Sequence, residues 1–122
     1  EEAVWFRIEP GYEAARRLIE RNPEITAIVA ANDLIAIGGY EAIRQAGHEI
    51  GPGISITGYN DVALMQYMQP PMTAVRVPYR QMGAEAASEL LVLLTDDGAD
   101  RGHTVLLKPS LIVRKSTAPP RS

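Results

Sequence analysis

The chain has 122 residues, and its 12 Lys and Arg against 15 Asp and Glu give a formal net charge of −3 at pH 7. This length fits one domain, and an apolar content of 46% excludes a disordered or fibrous chain. The acidic balance argues against nucleic-acid binding through bulk charge. The lack of Cys, with only two His, excludes disulfides, thiolate zinc sites and histidine-rich metal sites. No apolar run in the sequence is long enough to span a membrane.

The first half of the chain alternates helix and strand patterns. Residues 11–21 carry apolar side chains at helical spacing and predict a helix that ends before an Asn-Pro pair. Residues 25–31 form an almost continuous apolar run, which predicts a strand buried on both faces, as in a parallel sheet. Asp33 is predicted to cap a second helix, which runs to Gln45 and stops at Gly47.

The second half continues this alternation. It predicts a strand at residues 54–58, a short helix at 62–67, a strand at 73–77 and a long helix at 80–94. Residues 104–107 and 111–114 predict two final strands, or one bent strand. Such alternation indicates an α/β domain with a mainly parallel sheet flanked by helices. Gly38 and Gly39 lie inside a predicted helix, where close packing explains them better than phosphate binding. Because the sequence has no nucleotide motif, nucleophile elbow or catalytic constellation, it predicts neither an enzyme nor a cofactor.

The dipeptide Asn-Asp occurs twice, each time directly after a predicted strand. Asn32 and Asn60 should therefore lie beyond the carboxyl ends of strands, where open α/β sheets bind ligands. Amide side chains offer donors and an acceptor, which suits a neutral ligand with hydroxyl groups, such as a sugar. The residues alone leave open a second interpretation, in which both asparagines are only turn residues. For Asp33 and Asp61, helix capping is favoured over ligand contact.

Two aromatic residues, Trp5 and Phe6, precede the first predicted helix. An aromatic ring at a cleft can stack on the apolar face of a sugar. From the residues alone, however, a core or interface aromatic beside a strand end is the favoured interpretation.

Six segments, in order and with matching gaps, resemble the lactose-repressor/galactose-repressor family of bacterial transcription regulators. They are residues 11–15, 26–38, 54–61, 70–76, 82–83 and 114–120. The resemblance implies a core of the periplasmic-binding-protein-like (type I) fold, in which two α/β lobes hold a ligand between them, preceded by a DNA-binding head. This chain resembles the C-terminal part of that core. It opens without Met, and we expect it to be a piece of a longer protein whose head is absent here.

The resemblance also implies a division of the chain and a set of partners. Residues 1–77 are expected to form the C-terminal lobe, residues 78–103 a crossover helix that belongs to the other lobe, and residues 104–122 the returning strands and tail. The partners implied are a small-molecule effector, a second copy of the chain in a homodimer, and operator DNA reached only through the missing head. A cytoplasmic location without membrane association follows from the same resemblance.

Three positions match ligand positions of that family. Phe6 stands where an aromatic residue stacks on the effector, and Asn32 matches an asparagine that hydrogen-bonds it. Asn60 stands where many members have an Asp that binds ligand hydroxyls; the amide removes a charge and adds donors, so the effector is expected to differ from those of well-known members. Trp5 and Val77 are further departures from the family pattern.

The function expected from this resemblance is the sensing of a sugar, or a similar small polar molecule, by a transcription regulator or repressor. The alternative is a periplasmic solute-binding protein that feeds a sugar transporter, since its lobes and cleft would be the same. An enzyme on the same fold is disfavoured because the chain shows no catalytic constellation.

Overall fold

The computed structural model describes residues 6–95 and 104–121. The chain divides into two compact units: one runs up to Arg76 and resumes at Ser110, and the other covers Val77–Pro109. In chain order, the elements are α1 (Ile8–Arg21), β1 (Ala27–Val29), α2 (Asp33–Gln45), β2 (Ser55–Asn60), a 3-10 helix (Ala63–Tyr67), β3 (Thr73–Arg76), α3 (Tyr79–Thr95) and β4 (Ser110–Ile112).

A four-stranded sheet in the order β1-β2-β3-β4 organises the first unit. β1, β2 and β3 run parallel, and β4 pairs antiparallel with β3. The predicted α/β fold with a mainly parallel sheet is therefore confirmed. Because the first three strands are parallel, their carboxyl ends meet at one edge of the sheet, which we call the carboxyl edge.

Helices α1 and α2 pack against each other through their backbones. A Cβ atom at Gly38 would lie closer than 3.0 Å to the carbonyl oxygen of Ile8 and the amide nitrogen of Tyr12. A Cβ atom at Gly11 would be equally close to the backbone of Ile35. The prediction that close packing explains Gly38 is confirmed, and this approach brings the two helices together at their N-terminal ends.

The core of the first unit lies between α2 and β2. Tyr40 and Ile43 of α2, Ile56 of β2 and Met65 of the 3-10 helix are all at most 1% exposed. The C-terminal segment completes this core, because the buried Ser116 hydroxyl donates to the Ile56 carbonyl at 2.6 Å while the Ser116 carbonyl accepts the Ile56 amide at 2.9 Å. The tail is thereby fixed to the centre of the sheet.

Several local predictions were wrong. β1 is not buried on both faces, since Val29 is 85% exposed: it is an edge strand of the described sheet, and only Ile28 packs against the core. Residues 104–107 form no strand, because no described strand pairs with them, and β4 begins only at Ser110. α1 begins at Ile8, three residues earlier than predicted, since the first turn of a helix tolerates proline.

The second unit contains α3 and the segment that follows it. The predicted helix over residues 80–94 is confirmed, and its described side chains are all at least partly exposed. Met82 and Ala86 of α3 line a cleft of about 330 Å³ with Val105 and Leu107. The predicted polar loop at residues 96–102 lies outside the described residues. None of the described helices has the length and apolar character needed to cross a membrane.

The glycine contact between the helices gives a direct test of the packing. Gly38→Ala should lower the free energy of unfolding by about 2 kcal/mol, because the new methyl group would overlap fixed backbone atoms rather than a movable side chain. Gly83→Ala is the matched control: it lies inside α3 with no heavy atom within 4 Å of the added Cβ, so the melting temperature should not fall. Equal melting temperatures for the two variants would contradict the packing described here.

Candidate functional site

The two asparagines predicted to bind ligand lie on the same edge of the sheet. Val29 of β1 pairs with Thr57 of β2 in a parallel register. Asn32 and Asn60 each lie three residues beyond this pair. Asn32 follows the carboxyl end of β1, and Asn60 is the last residue of β2. The structure thus brings them to one edge, as the sequence predicts.

Asn32 is the N-cap of α2. Its backbone is extended, with φ −155° and ψ 176°, and its side-chain oxygen accepts the Ile35 amide at 2.9 Å. The prediction that Asp33 caps this helix was wrong, because a cap must precede the first helical residue and Asp33 is already that residue. Within residues 6–95 and 104–121 the Asn32 side-chain nitrogen has no hydrogen-bond partner, so its two donors remain available.

Asp33 instead lies buried beneath the edge, only 2% exposed. Its Oδ2 accepts the Val62 amide at 2.8 Å, whereas its Oδ1 has no partner among the described residues. Burial raises the pKa of this carboxyl, and the Val62 hydrogen bond offsets only part of that effect. A Cβ atom at position 58 would lie under 3.0 Å from Asp33 Oδ1, which explains Gly58.

The turn that carries Asn60 has an unusual backbone. Asn60 has φ 119° and Asp61 has φ 57°. Positive φ is disfavoured for any residue with a side chain, although Asn and Asp tolerate it better than others. Each such residue costs about 1–3 kcal/mol, so surrounding contacts must hold the turn. The Asn60 side chain has no hydrogen-bond partner among the residues described, and its amide is available to a ligand.

Asp61 supplies two of the contacts that hold this turn. Its carboxylate is 1% exposed; Oδ1 accepts Arg114 Nη1 at 2.7 Å, and Oδ2 accepts Arg76 Nε at 2.7 Å. We call these three residues the Asp61 ion cluster. The prediction that Asp61 caps a helix was wrong, because the following 3-10 helix starts after Val62 without a side-chain cap and two guanidinium groups occupy the carboxylate.

Opposing effects act on the protonation of Asp61. Burial by itself would raise the pKa of the Asp61 carboxyl. The hydrogen bonds and positive charges of Arg114 and Arg76 outweigh burial and leave the pKa below its ordinary value. The carboxylate is therefore charged at neutral pH, and the cluster of one anion and two cations carries a formal net charge of +1.

Phe6 lies beside the end of β1. Its side chain is 67% exposed, and it lines a cleft of about 380 Å³ together with Val29, Ala30 and Ala31. Because Asn32 directly follows Ala31, the aromatic ring and the cap of α2 border the same end of the strand. Trp5, the neighbouring departure from the family pattern, lies outside the described residues.

The sequence prediction missed Arg76 and Arg114. From the sequence, both are only residues of predicted strands, at 73–77 and 111–114. The sequence does not identify the acidic partner of either arginine. No group of three or more His, Cys, Asp or Glu in the described part of the chain could hold a metal ion.

Comparison with known proteins identifies the family. The profile of the periplasmic binding protein-like domain matches residues 2–117. The lactose operon repressor of Rhizobium radiobacter is 38% identical over 112 residues, which cover 92% of this chain and 97% of that sequence. The chain belongs to the lactose-repressor family. The family that the sequence resembled is therefore confirmed, and the chain carries the family's periplasmic binding protein-like domain.

Two further relatives show the same relationship. The HTH-type transcriptional regulator MalR of Streptomyces coelicolor is 37% identical over 113 residues, covering 93% of this chain and 32% of that protein. The solved structure of a transcriptional regulator CelR–cellobiose complex matches this fold with a TM-score of 0.85 and 31% sequence identity. The match covers 91% of this chain and 34% of the CelR chain. The chain thus spans about a third of the length of relatives such as these. They are transcription regulators rather than enzymes.

The lowered pKa of Asp61 predicts a specific pH dependence. A carboxyl group with a lowered pKa stabilises the fold above its unfolded pKa, about 3.9, and this stabilisation is lost as the pH falls through the folded pKa. Asp61→Asn should therefore lower the free energy of unfolding by about 3 kcal/mol at pH 7, because Arg114 loses its buried partner.

The deficit of Asp61→Asn relative to the unsubstituted chain should begin to shrink below about pH 4, where Asp61 takes up a proton in the unfolded chain, and should vanish below the lower pKa of the folded state. Urea unfolding at a series of pH values measures it. The control is Glu41→Gln, which changes an exposed carboxylate of α2 and should show little difference at any pH. A deficit that stays constant down to pH 2 would contradict the ion cluster.

Proposed function

We propose that this chain is part of the effector-binding domain of a bacterial transcription repressor, and that it binds a sugar or a similar small polar molecule at the carboxyl edge. Residues 1–77 belong to the C-terminal lobe of that domain. The intact regulator is a cytoplasmic homodimer that contacts operator DNA through a head outside this chain. Effector binding shifts the equilibrium between two states of the regulator, and the head responds to that shift.

The observation that carries this proposal is the meeting of Asn32 and Asn60 at one edge in a member of the lactose-repressor family. Both lie three residues beyond the Val29–Thr57 pair of the neighbouring strands β1 and β2, and Phe6 borders the end of β1. In open α/β sheets, this edge is the usual place for ligands. The two asparagines lie at this edge, and Phe6 lines the neighbouring cleft at the end of β1.

The available groups suit a polyhydroxy ligand. Asn60 offers a complete amide, with two donors and an acceptor, and Asn32 offers its two donors because the cap occupies its oxygen. Phe6 offers an exposed ring face, which can stack on the apolar face of a pyranose. Since neither asparagine carries a charge, the hydroxyl groups of a neutral sugar can be bound without burying an unpaired ion.

The family comparisons also separate the two functions that the sequence left in competition. The relatives matched over most of this chain are a lactose operon repressor and HTH-type transcriptional regulators. A related regulator, CelR, forms a complex with cellobiose. These relatives favour a transcription regulator over a periplasmic solute-binding protein of a transporter.

Sugar binding can be measured on this chain by thermal unfolding with lactose, cellobiose and ribose. At least one sugar should raise the melting temperature, and Phe6→Ala or Asn60→Ala should each weaken its binding by about tenfold, the loss of one stacking or hydrogen-bonding group. Tyr67→Ala is the aromatic control: Tyr67 is 71% exposed but does not line the Phe6 cleft. If both site variants bound every sugar as tightly as the unsubstituted chain, the site assignment would be wrong.

Asn32 allows its capping role to be separated from its binding role. Asn32→Ser keeps an oxygen that can accept the Ile35 amide but removes the two amide donors. We expect the melting temperature to stay within about 2 °C of the unsubstituted chain, since serine and asparagine cap equally well, while sugar affinity falls several-fold. Asn32→Ala removes both the capping oxygen and the amide donors, so the melting temperature and the sugar affinity should both fall. Unchanged affinity in Asn32→Ser would leave Asn32 as a cap only.

A further inference from the structure

The turn that presents Asn60 is held by contacts from distant parts of the chain. Asn60 and Asp61 both have positive φ, and neither is glycine. The Val62 amide on one side of the turn donates to Asp33. The Asp61 carboxylate binds Arg76 and Arg114, each at 2.7 Å. A backbone that is unfavourable in isolation is thus fixed by polar contacts of the two residues that follow Asn60.

The two arginines connect the turn to particular positions in the chain. Arg76 is the last residue of the first unit before the chain passes into the second, and it is the register partner of Asn60. Arg114 follows β4, the strand with which the chain resumes the first unit, and its Nη1 also donates to the Met72 carbonyl at 2.5 Å. One carboxylate therefore ties the Asn60 turn to both segments through which the chain leaves and re-enters the first unit.

We propose that Asp61 is a positioning residue of the effector site: clamped between Arg76 and Arg114, it holds the backbone of Asn60 in the conformation that presents the Asn60 amide to the ligand. This inference rests on the proposed sugar-binding function. Asp61 itself does not contact the ligand, because both carboxylate oxygens are occupied and its side chain is 1% exposed. The available amide of Asn60 and the buried carboxylate of Asp61 thus have separate roles in one turn.

This role predicts that Asp61 affects ligand affinity only through Asn60. A double-mutant cycle tests it, with the dissociation constants of lactose, cellobiose and ribose measured calorimetrically for the unsubstituted chain, Asp61→Asn, Asn60→Ala and the double variant. Asp61→Asn alone should weaken the sugar that binds best by at least fivefold. In the Asn60→Ala background, the same change should weaken it by less than twofold. Equal weakening in both backgrounds would overturn the proposal, since a merely structural effect does not depend on Asn60.

A second variant guards against misfolding of Asp61→Asn. The side chain of Arg76 is 54% exposed, and Arg76→Gln leaves the Asp61–Arg114 pair in place. It should fold normally and still weaken sugar binding, with the loss again vanishing in the Asn60→Ala background. Arg16→Gln, which breaks only exposed ion pairs on α1, is the matched control and should leave affinity unchanged.

A measurement without ligand separates this proposal from the proposed function. Amide hydrogen exchange at Val62 should accelerate about tenfold in Asp61→Asn and in Arg76→Gln, while exchange at Ile56 in the core stays constant. Unchanged exchange at Val62 would overturn the positioning role, regardless of the measured sugar affinities. If no sugar binds the unsubstituted chain but exchange at Val62 accelerates, the turn is held as proposed and the choice of effector is at fault.

Discussion

The hydrogen bond from the Val62 amide to the Asp33 carboxylate joins the segments that follow β1 and β2, and the geometry of the carboxyl edge depends on it. This bond requires a carboxylate inside the protein, where desolvation is costly. Gly58 leaves the space for it, and the Val62 amide provides only part of the compensation. The Asp33 Oδ1 atom has no partner within the described part of the chain, so its desolvation is left uncompensated there.

Local sequence patterns were sufficient for most elements of the fold. The second helix was predicted to run to Gln45 and stop at Gly47, and the structure ends α2 at Gln45 and gives Gly47 φ 78°. The errors arose where burial depends on neighbours rather than on pattern. Val29 was predicted to be a buried strand residue, yet it lies on an edge strand of the described sheet. Residues 104–107 have a strand pattern but pair with no described strand. An apolar run shows what a segment is able to bury, but not which segment will cover it.

The same distinction applies to the site. The edge that holds Asn32 and Asn60 was predictable because parallel strands place their carboxyl ends together, whatever the packing. The ion cluster was not, because Asp61 finds Arg76 and Arg114 at 15 and 53 residues along the chain, and charge alone does not select partners over such separations. The cap of α2 was misplaced by one residue, since Asn32 and Asp33 are both good capping residues and only the backbone angles decide between them.

The two Asn-Asp dipeptides therefore divide their roles in the same way at the ends of β1 and β2. In each pair the asparagine side-chain nitrogen has no hydrogen-bond partner among the described residues, and the aspartate side chain is buried and fixes the backbone: Asp33 through Val62, and Asp61 through two arginines. At position 60 the side chain can change while Asp61 holds the turn, whereas the Asn32 side chain also caps α2. Under the proposed function, an amide at position 60, where the family resemblance implies an acid in many members, alters what the edge can bind while the Asp61 ion cluster still holds the turn.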